Sequence, residues 1–316
     1  MRTRTQNSTT QVIEFILIGV PLPRPMEFFL FSLFLVVFFF TLAGNLMIIT
    51  LVCMDQRLQT PMYFFLCNLS FLEIFFVLTI TPKMMMDLVS QNKSISFLGC
   101  ISHQCYSYFF LGTCEIILIA VMAFDRYIAI CHPLRYTIIM NGRVCVNLIL
   151  VCWIGAFMNN FGPIVLLSQL SFCSSNVIDH FFCDYAPLIK LSCNDVDTLL
   201  TLESTLSPLV LLSSLCVTVV SYLYIIVTVL NMQISGSRGK TFSTCASHLT
   251  VASIFYGSAI FMYSLPSKGH SRDAQKAVAV LTAMVTPLLN PFIYTLRNEK
   301  VKDAFQDCLL RHKHIL

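Results

Sequence analysis

The chain of 316 residues is 56% hydrophobic and only 11% charged, with 27 Phe against a single Trp. A water-soluble domain of this length cannot hide that much apolar surface, so composition points to a membrane. The formal charge of +4 is scattered over many segments and forms no basic stripe, which excludes nucleic acid as a partner.

Residues 1–25 carry Arg2, Arg4 and a proline cluster at Pro21, Pro23 and Pro25, without the short apolar core of a cleaved leader. They read as an extracellular tail, and the first span would act as its own insertion signal. Seven runs follow that are uncharged or hold one interior carboxylate: Phe28 to Met54, Pro61 to Pro82, Gly99 to Phe124, Val144 to Gln169, Ser204 to Asn231, Thr241 to Ser267 and Ala277 to Leu296. Each is long enough for a hydrocarbon core of about 30 Å, which takes ~20 helical residues. The expected architecture is an all-α membrane protein: a seven-helix bundle over 26–297, then an inner tail over 298–316.

An odd number of spans puts the two ends on opposite sides. With the tail inside, 11 of the 20 basic residues are cytosolic, a slight bias in the usual direction. Two glycosylation sequons, at Asn7 and Asn92, would then face outside. The inner connections Asp55 to Thr60, Pro133 to Arg143 and Gln233 to Lys240 are too short for a catalytic domain. The sizeable loop is the outer one, about Leu170 to Thr198, made negative by Asp179, Asp184, Asp195 and Asp197. Beyond Arg297, apolar residues at Val301, Ala304, Phe305, Cys308 and Leu309 follow helical spacing. Lys300, Lys302, Arg311 and Lys313 beside them suit an amphipathic helix on anionic lipid.

Ten of the 14 cysteines lie in or beside spans or in the tail, where a small buried apolar residue is the ordinary role. Cys308 is also a candidate for palmitate. Cys100, Cys173, Cys183 and Cys193 cluster at the outer face, where oxidising conditions favour disulfides. Four cysteines allow three connectivities, and arithmetic alone does not choose. His180, Cys183 and Asp184 form a weak metal-ligand set without a second His at zinc-like spacing.

Charged residues inside or at the mouth of a span are costly and point to function. Asp125-Arg126-Tyr127 ends the third span, in MAFDRYIAICHPLRY. A guanidinium there can pair with the adjacent carboxylate in one state and other groups in a second, giving a bistable element. Polar residues also mark the inner ends of later spans: Ser221-Tyr222, the stretch Lys240 to Leu249 with His248, and Asn290-Pro291-Phe292-Ile293-Tyr294. Within the spans, Glu73 and Glu115 call for pairing, protonation or a cation.

LQTPMYFFLCNLS from Leu58, MAFDRYIAICHPLRY from Met122, KTFSTCASHL from Lys240 and PLLNPFIYTLRN from Pro287 together resemble, in order and spacing, the signatures of olfactory receptors, a group of rhodopsin-like G-protein-coupled receptors. The resemblance covers roughly Glu14 to Ala304. It implies a receptor, not an enzyme, that binds a small volatile odorant in an outer pocket and activates a stimulatory G protein that raises cAMP. It also implies residence in the plasma membrane of sensory cilia, with trafficking chaperones as further partners. By position, Arg126 would leave Asp125 for Tyr222 and Tyr294, with His248 nearby, and Pro291 would kink the seventh span. Glu73 and Glu115, with Asn45 and Asn290, fall where such receptors keep a sodium pocket. The two acids then share Na⁺ or one proton, or each is separately protonated and bonded to backbone. No other cofactor is implied.

The resemblance pairs Cys100 with Cys183 and Cys173 with Cys193. Counted outward from Arg126, the implied odorant pocket takes Tyr108, Phe109, Gly112 and Thr113 from span 3. Opposite them stand Leu206, Ser207 and Val210 of span 5, Tyr256, Ala259, Ile260 and Tyr263 of span 6, and Val280 and Ala283 of span 7. A wall of apolar side chains and hydroxyls without a buried cation favours neutral alcohols, aldehydes, ketones or esters over carboxylic acids. Cys100 and Arg126 are 26 positions apart, one more than the family's usual spacing, so an extra residue must be absorbed above Gly112.

A receptor for a non-odorant metabolite is the alternative. A channel or transporter would show repeats, broken helices or charge-lined pores. A retinal protein would need a lysine inside span 7 beyond Lys276, at its outer end.

Overall fold

The computed structural model describes residues 12–20, 22–173, 175–231, 235–264, 271–296 and 299–313. Long helices dominate: α1 (Arg24–Met54), α2 (Pro61–Val89), α3 (Ser107–Cys131), α4 (Tyr136–Ile139), α5 (Gly142–Ser168), α6 (Tyr185–Ile189), α7 (Asp197–Leu230), α8 (Ser235–Ser264), α9 (Ser271–Leu296) and α10 (Glu299–Lys313). Six spans are long and apolar enough to cross a bilayer, one of them the α3 helix together with the stretch that leads into it. In α8 the apolar stretch among the described residues is His248–Met262. With it the bundle has seven helices, and the chain is a multi-pass membrane protein.

Burial follows from the solvent. Phe28, Phe29, Phe39 and Phe40 of α1 are exposed, as lipid-facing side chains are in a membrane. The shared core lies inward, around Phe65, Leu69 and Ile80 of α2, Leu118 of α3, and Ala283 of α9.

Helices overrun the apolar runs at their outer ends, because hydropathy marks the hydrocarbon and not the end of the hydrogen-bond ladder. α1 begins at Arg24, with proline in its first turn where no N–H is needed. α2 continues through Pro82 to Val89. α7 starts at Asp197, seven residues before the apolar run that begins at Ser204, so Glu203 is helical.

Span 3 does not begin as an α-helix. Gly99–Tyr106 form a π-helical stretch that passes into α3. An i→i+5 ladder holds more residues per turn than an α-helix, which gives the extra residue between Cys100 and Arg126 a place above Gly112.

An all-α reading omits a small sheet at the outer face. β1 (Glu14–Leu17), β2 (Ser94–Ser96) and β3 (Val177–Ile178) pair in the order β2-β1-β3. β1 runs antiparallel to β2, with Phe15 opposite Ile95, and parallel to β3, with Leu17 opposite Ile178. Phe15 and Leu17 are buried, and Phe15 meets the ring of Phe172 edge-on at 5.1 Å. Part of the tail is thus stitched to the outer loop. Lys276 at the top of α9 fixes this cap, with Nζ 2.5 Å from Asp179 and 3.1 Å from the Gly19 carbonyl oxygen. Gly19 sits at φ +59°, and a Cβ there would meet the Phe181 ring at 3.0 Å, so glycine is required twice over.

Candidate functional site

At the inner face, Arg126 donates from Nε to Asp125 Oδ2 at 3.1 Å, and its terminal nitrogen bonds the same oxygen. The other carboxylate oxygen, Oδ1, accepts the hydroxyl of Tyr136 at 2.8 Å. Burial and the neighbouring Asp125 push the Tyr136 phenol above its usual pKa, keeping it a proton donor. Asp125 is buried at 1% exposure, so both oxygens being satisfied matters to its cost. Between α7 and α8, the Tyr222 hydroxyl lies 2.6 Å from His248 Nδ1. Tyr127 joins His132 at 3.1 Å.

Deeper in the bundle, Asn290 donates to Glu73 Oε1. Pro291 has no N–H, which leaves the carbonyl of Pro287 without its helical donor. Asn45 supplies one from α1: its Nδ2 donates to the Pro287 oxygen at 3.2 Å and to Thr41 at 3.1 Å. Gly44 permits this approach, since a Cβ there would come within 3.0 Å of Pro291. Three buried acceptors, Asn45 Oδ1, Glu73 Oε2 and Glu115 Oε1, have no hydrogen-bond partner among the described residues. Orphaned oxygens on three adjoining helices fit a hard cation or shared protons.

Near the outer face a small, partly open cavity lies between α3, α5, α7 and the outer loop, lined by Cys105, Tyr106, Phe109, Asn160, Pro163, Ile164, Tyr185 and Glu203. Asn160 is held by Thr113 Oγ1 at 3.1 Å and by the Ala156 carbonyl at 2.8 Å. Tyr185 meets Phe109 edge-on at 6.0 Å and donates to the Leu199 carbonyl at 3.4 Å. Burial, with Glu203 and Cys105 nearby, pushes the Tyr185 phenol up. Glu203 Oε1 accepts the Ser207 hydroxyl at 2.5 Å. Disulfides Cys100–Cys183 and Cys173–Cys193 tie the loop over this region. Gln104 Oε1 accepts the Cys183 N–H at 3.1 Å.

The family model for olfactory receptors matches residues 34–312. The chain belongs to the olfactory receptor family. Human olfactory receptor 6S1 is 49% identical over 95% of this chain and 91% of its own, and human olfactory receptor 6J1 is 48% identical over 96% and 88%. Mouse olfactory receptor 6E1 is 47% identical over 95% and 96%. Squid rhodopsin superposes with a TM-score of 0.68 at 18% identity, covering 91% of this chain and 86% of its own, which identifies the seven-helix fold. The family is one of membrane signalling receptors, not enzymes.

In this olfactory receptor the residues singled out by sequence separate into groups. Asp125 and Arg126 are together, and Tyr222 lies with His248, both close enough to Arg126 to interact with its charge. Tyr294 has its side chain outside the described residues, as do Tyr263 and the whole of Asn7. Asn92 is exposed between α2 and β2. Phe109 lines the cavity, and Thr113 and Ser207 each hold a lining residue. Gly112 has open space where a Cβ would stand. Leu206 and Val210, on α7, are half-buried.

The other expected pocket residues are not among those lining this cavity. Tyr108 is wedged between Phe76 at 5.3 Å and Phe182 at 4.9 Å. Tyr256 is tied by its hydroxyl to Ser214 and Thr218, joining α8 to α7. Ala283 is fully buried in the core, Val280 packs against that core, and Ala259 packs beside Tyr256. Ile260 is 42% exposed. The weak metal-ligand set dissolves: Cys183 is in a disulfide, and His180 Nδ1 lies 3.1 Å from the Phe182 carbonyl oxygen. Cys308 is half-buried on α10, where Asp307 reaches Arg57 at 2.7 Å.

Sequence reading passed over Tyr136, Asn160, Tyr185 and Glu203. Tyr136 ends the same quoted motif as Arg126, so its signal was in view. Asn160, one polar amide in an apolar run, was a weaker one.

Proposed function

We propose that the receptor binds a small volatile molecule in its outer cavity and passes that event to a stimulatory G protein, raising cAMP, in the plasma membrane of sensory cilia. The observation that carries the reading is the closed inner latch, Asp125 holding Arg126 while Tyr136 holds Asp125. It lies at the far end of α3 from the cavity residue Phe109. One rigid helix therefore bears both the ligand wall and the switch, and a ligand that prefers one arrangement biases the other.

In the active state Arg126 leaves Asp125 for Tyr222, and the inner end of α8 moves out to admit the G protein. Glu73, Glu115, Asn45 and Asn290 hold Na⁺ or a shared proton in the resting state, the orphaned oxygens being the supporting observation. Trafficking chaperones are further expected partners. The test is a cAMP reporter screen of surface-labelled receptor against a chemically broad odorant panel. Concentration-dependent responses to some compounds support the reading, and silence throughout from receptor shown to be on the surface counts against it.

A further inference from the structure

We propose that Glu203 anchors the ammonium group of a small amine whose apolar body lies against Tyr106, Phe109 and Ile164. This rests on the odorant reading above and names the ligand class for that cavity.

Glu203 is the carboxylate in the cavity wall, and the wall contains no Lys or Arg. Among the described residues it forms no ion pair, and Ser207 is its hydrogen-bond partner, through Oε1. Oε2 is left for something else. Glu203 stands half-buried among aromatic rings at the outer edge of the α7 apolar run, and a ligand that brings its own cation offsets the cost of holding a carboxylate there. The rings of Tyr106, Phe109 and Tyr185 stand beside it, and aromatic faces also attract ammonium groups.

The approach is biased the same way. Between positions 170 and 203 the chain holds Asp179, Asp184, Asp195, Asp197 and Glu203 against one basic residue, Lys190. Lys276 neutralises Asp179, and the remaining acids favour cations and repel carboxylates at the mouth. The expectation of neutral odorants came from a pocket read without a buried cation, and Glu203, between the loop read to Thr198 and the span read from Ser204, was left out of it.

Matched pairs test the assignment: benzylamine with benzyl alcohol, and cyclohexylamine with cyclohexanol, read by cAMP at equal surface density. The amine is expected to act at a half-maximal concentration about 10- to 100-fold below its alcohol, as a hydrogen-bonded ion pair would give. In Glu203→Gln that ratio collapses toward one, and in Glu203→Asp an amine preference returns. Ser207→Lys, which supplies an internal ammonium one turn away, gives the same loss by a second route if Glu203→Gln fails to reach the surface. An unchanged ratio in Glu203→Gln, or responses to alcohols and none to amines, overturns the amine assignment and leaves the odorant reading standing. Silence toward all four compounds from receptor that answers others in the broad odorant panel overturns the amine assignment alone, and silence toward the whole panel from receptor on the surface overturns both.

Discussion

Tyr136 donates its hydroxyl to Asp125 Oδ1 at 2.8 Å, so the carboxylate that holds Arg126 is itself held from the second inner loop. Removing that bond with Tyr136→Phe leaves Asp125 one donor short and loosens its grip on Arg126. Every ~1.4 kcal/mol is a factor of ten in an equilibrium, and a hydrogen bond to a charged group contributes about that much or more. Ligand-independent cAMP is therefore expected to rise several-fold in Tyr136→Phe at unchanged surface density. Basal signalling no higher than wild type would place Tyr136 outside the latch.

The proposed Na⁺ site at the orphaned oxygens of Asn45, Glu73 and Glu115 predicts that resting activity depends on sodium. Replacing external Na⁺ by N-methylglucamine should raise basal cAMP in the wild-type receptor, since the ion stabilises the resting state only. Glu115→Gln removes one oxygen's charge and should flatten the dependence. A Glu115→Gln receptor whose basal activity and sodium response match wild type sinks the cation reading.

The two disulfides should differ in importance. Cys100–Cys183 spans 83 positions and Cys173–Cys193 spans 20. Loop-closure entropy assigns about 4–5 kcal/mol to the first and about 3 kcal/mol to the second. Surface labelling is expected to fall further in Cys100→Ser than in Cys193→Ser, and the reverse order would show that strand docking, not chain entropy, dominates the cap.

His180 makes the cap sensitive to acid. Burial lowers its pKa below the usual 6.5, a shift that Asp184 only partly opposes. The unfolded chain therefore binds the proton more readily than the folded one. Its contribution to stability is complete above about pH 6.5 and is lost as pH falls through that value toward the folded pKa. Thermal unfolding of detergent-solubilised receptor should occur at lower temperature at pH 5 than at pH 7.5, with the difference reduced in His180→Gln. Equal pH dependence in both would remove His180 as the cause.

Hydropathy made the spans legible because lipid contact imposes long apolar runs, and the inner motifs were legible because charge at a span end is rare. The outer half was less so. Glu203 falls between the loop read to Thr198 and the apolar run read from Ser204, although the α7 ladder runs through it. The role of Asn160 depends on how α5 is rotated against Thr113, which no local pattern encodes. The β1 strand, Glu14–Leu17, is too short to distinguish from tail until β2 and β3 are beside it. Spacing did reveal the extra residue below Cys100, but not that a π-helical stretch takes it up.

The most direct test of the latch is agonist-evoked cAMP from Arg126→Ala, at surface density matched to wild type and with the most potent compound of the panel. Loss of the evoked response, with the receptor still on the surface, is the predicted result. An undiminished response would contradict the claim that Arg126, held by Asp125 at rest, carries the signal inward.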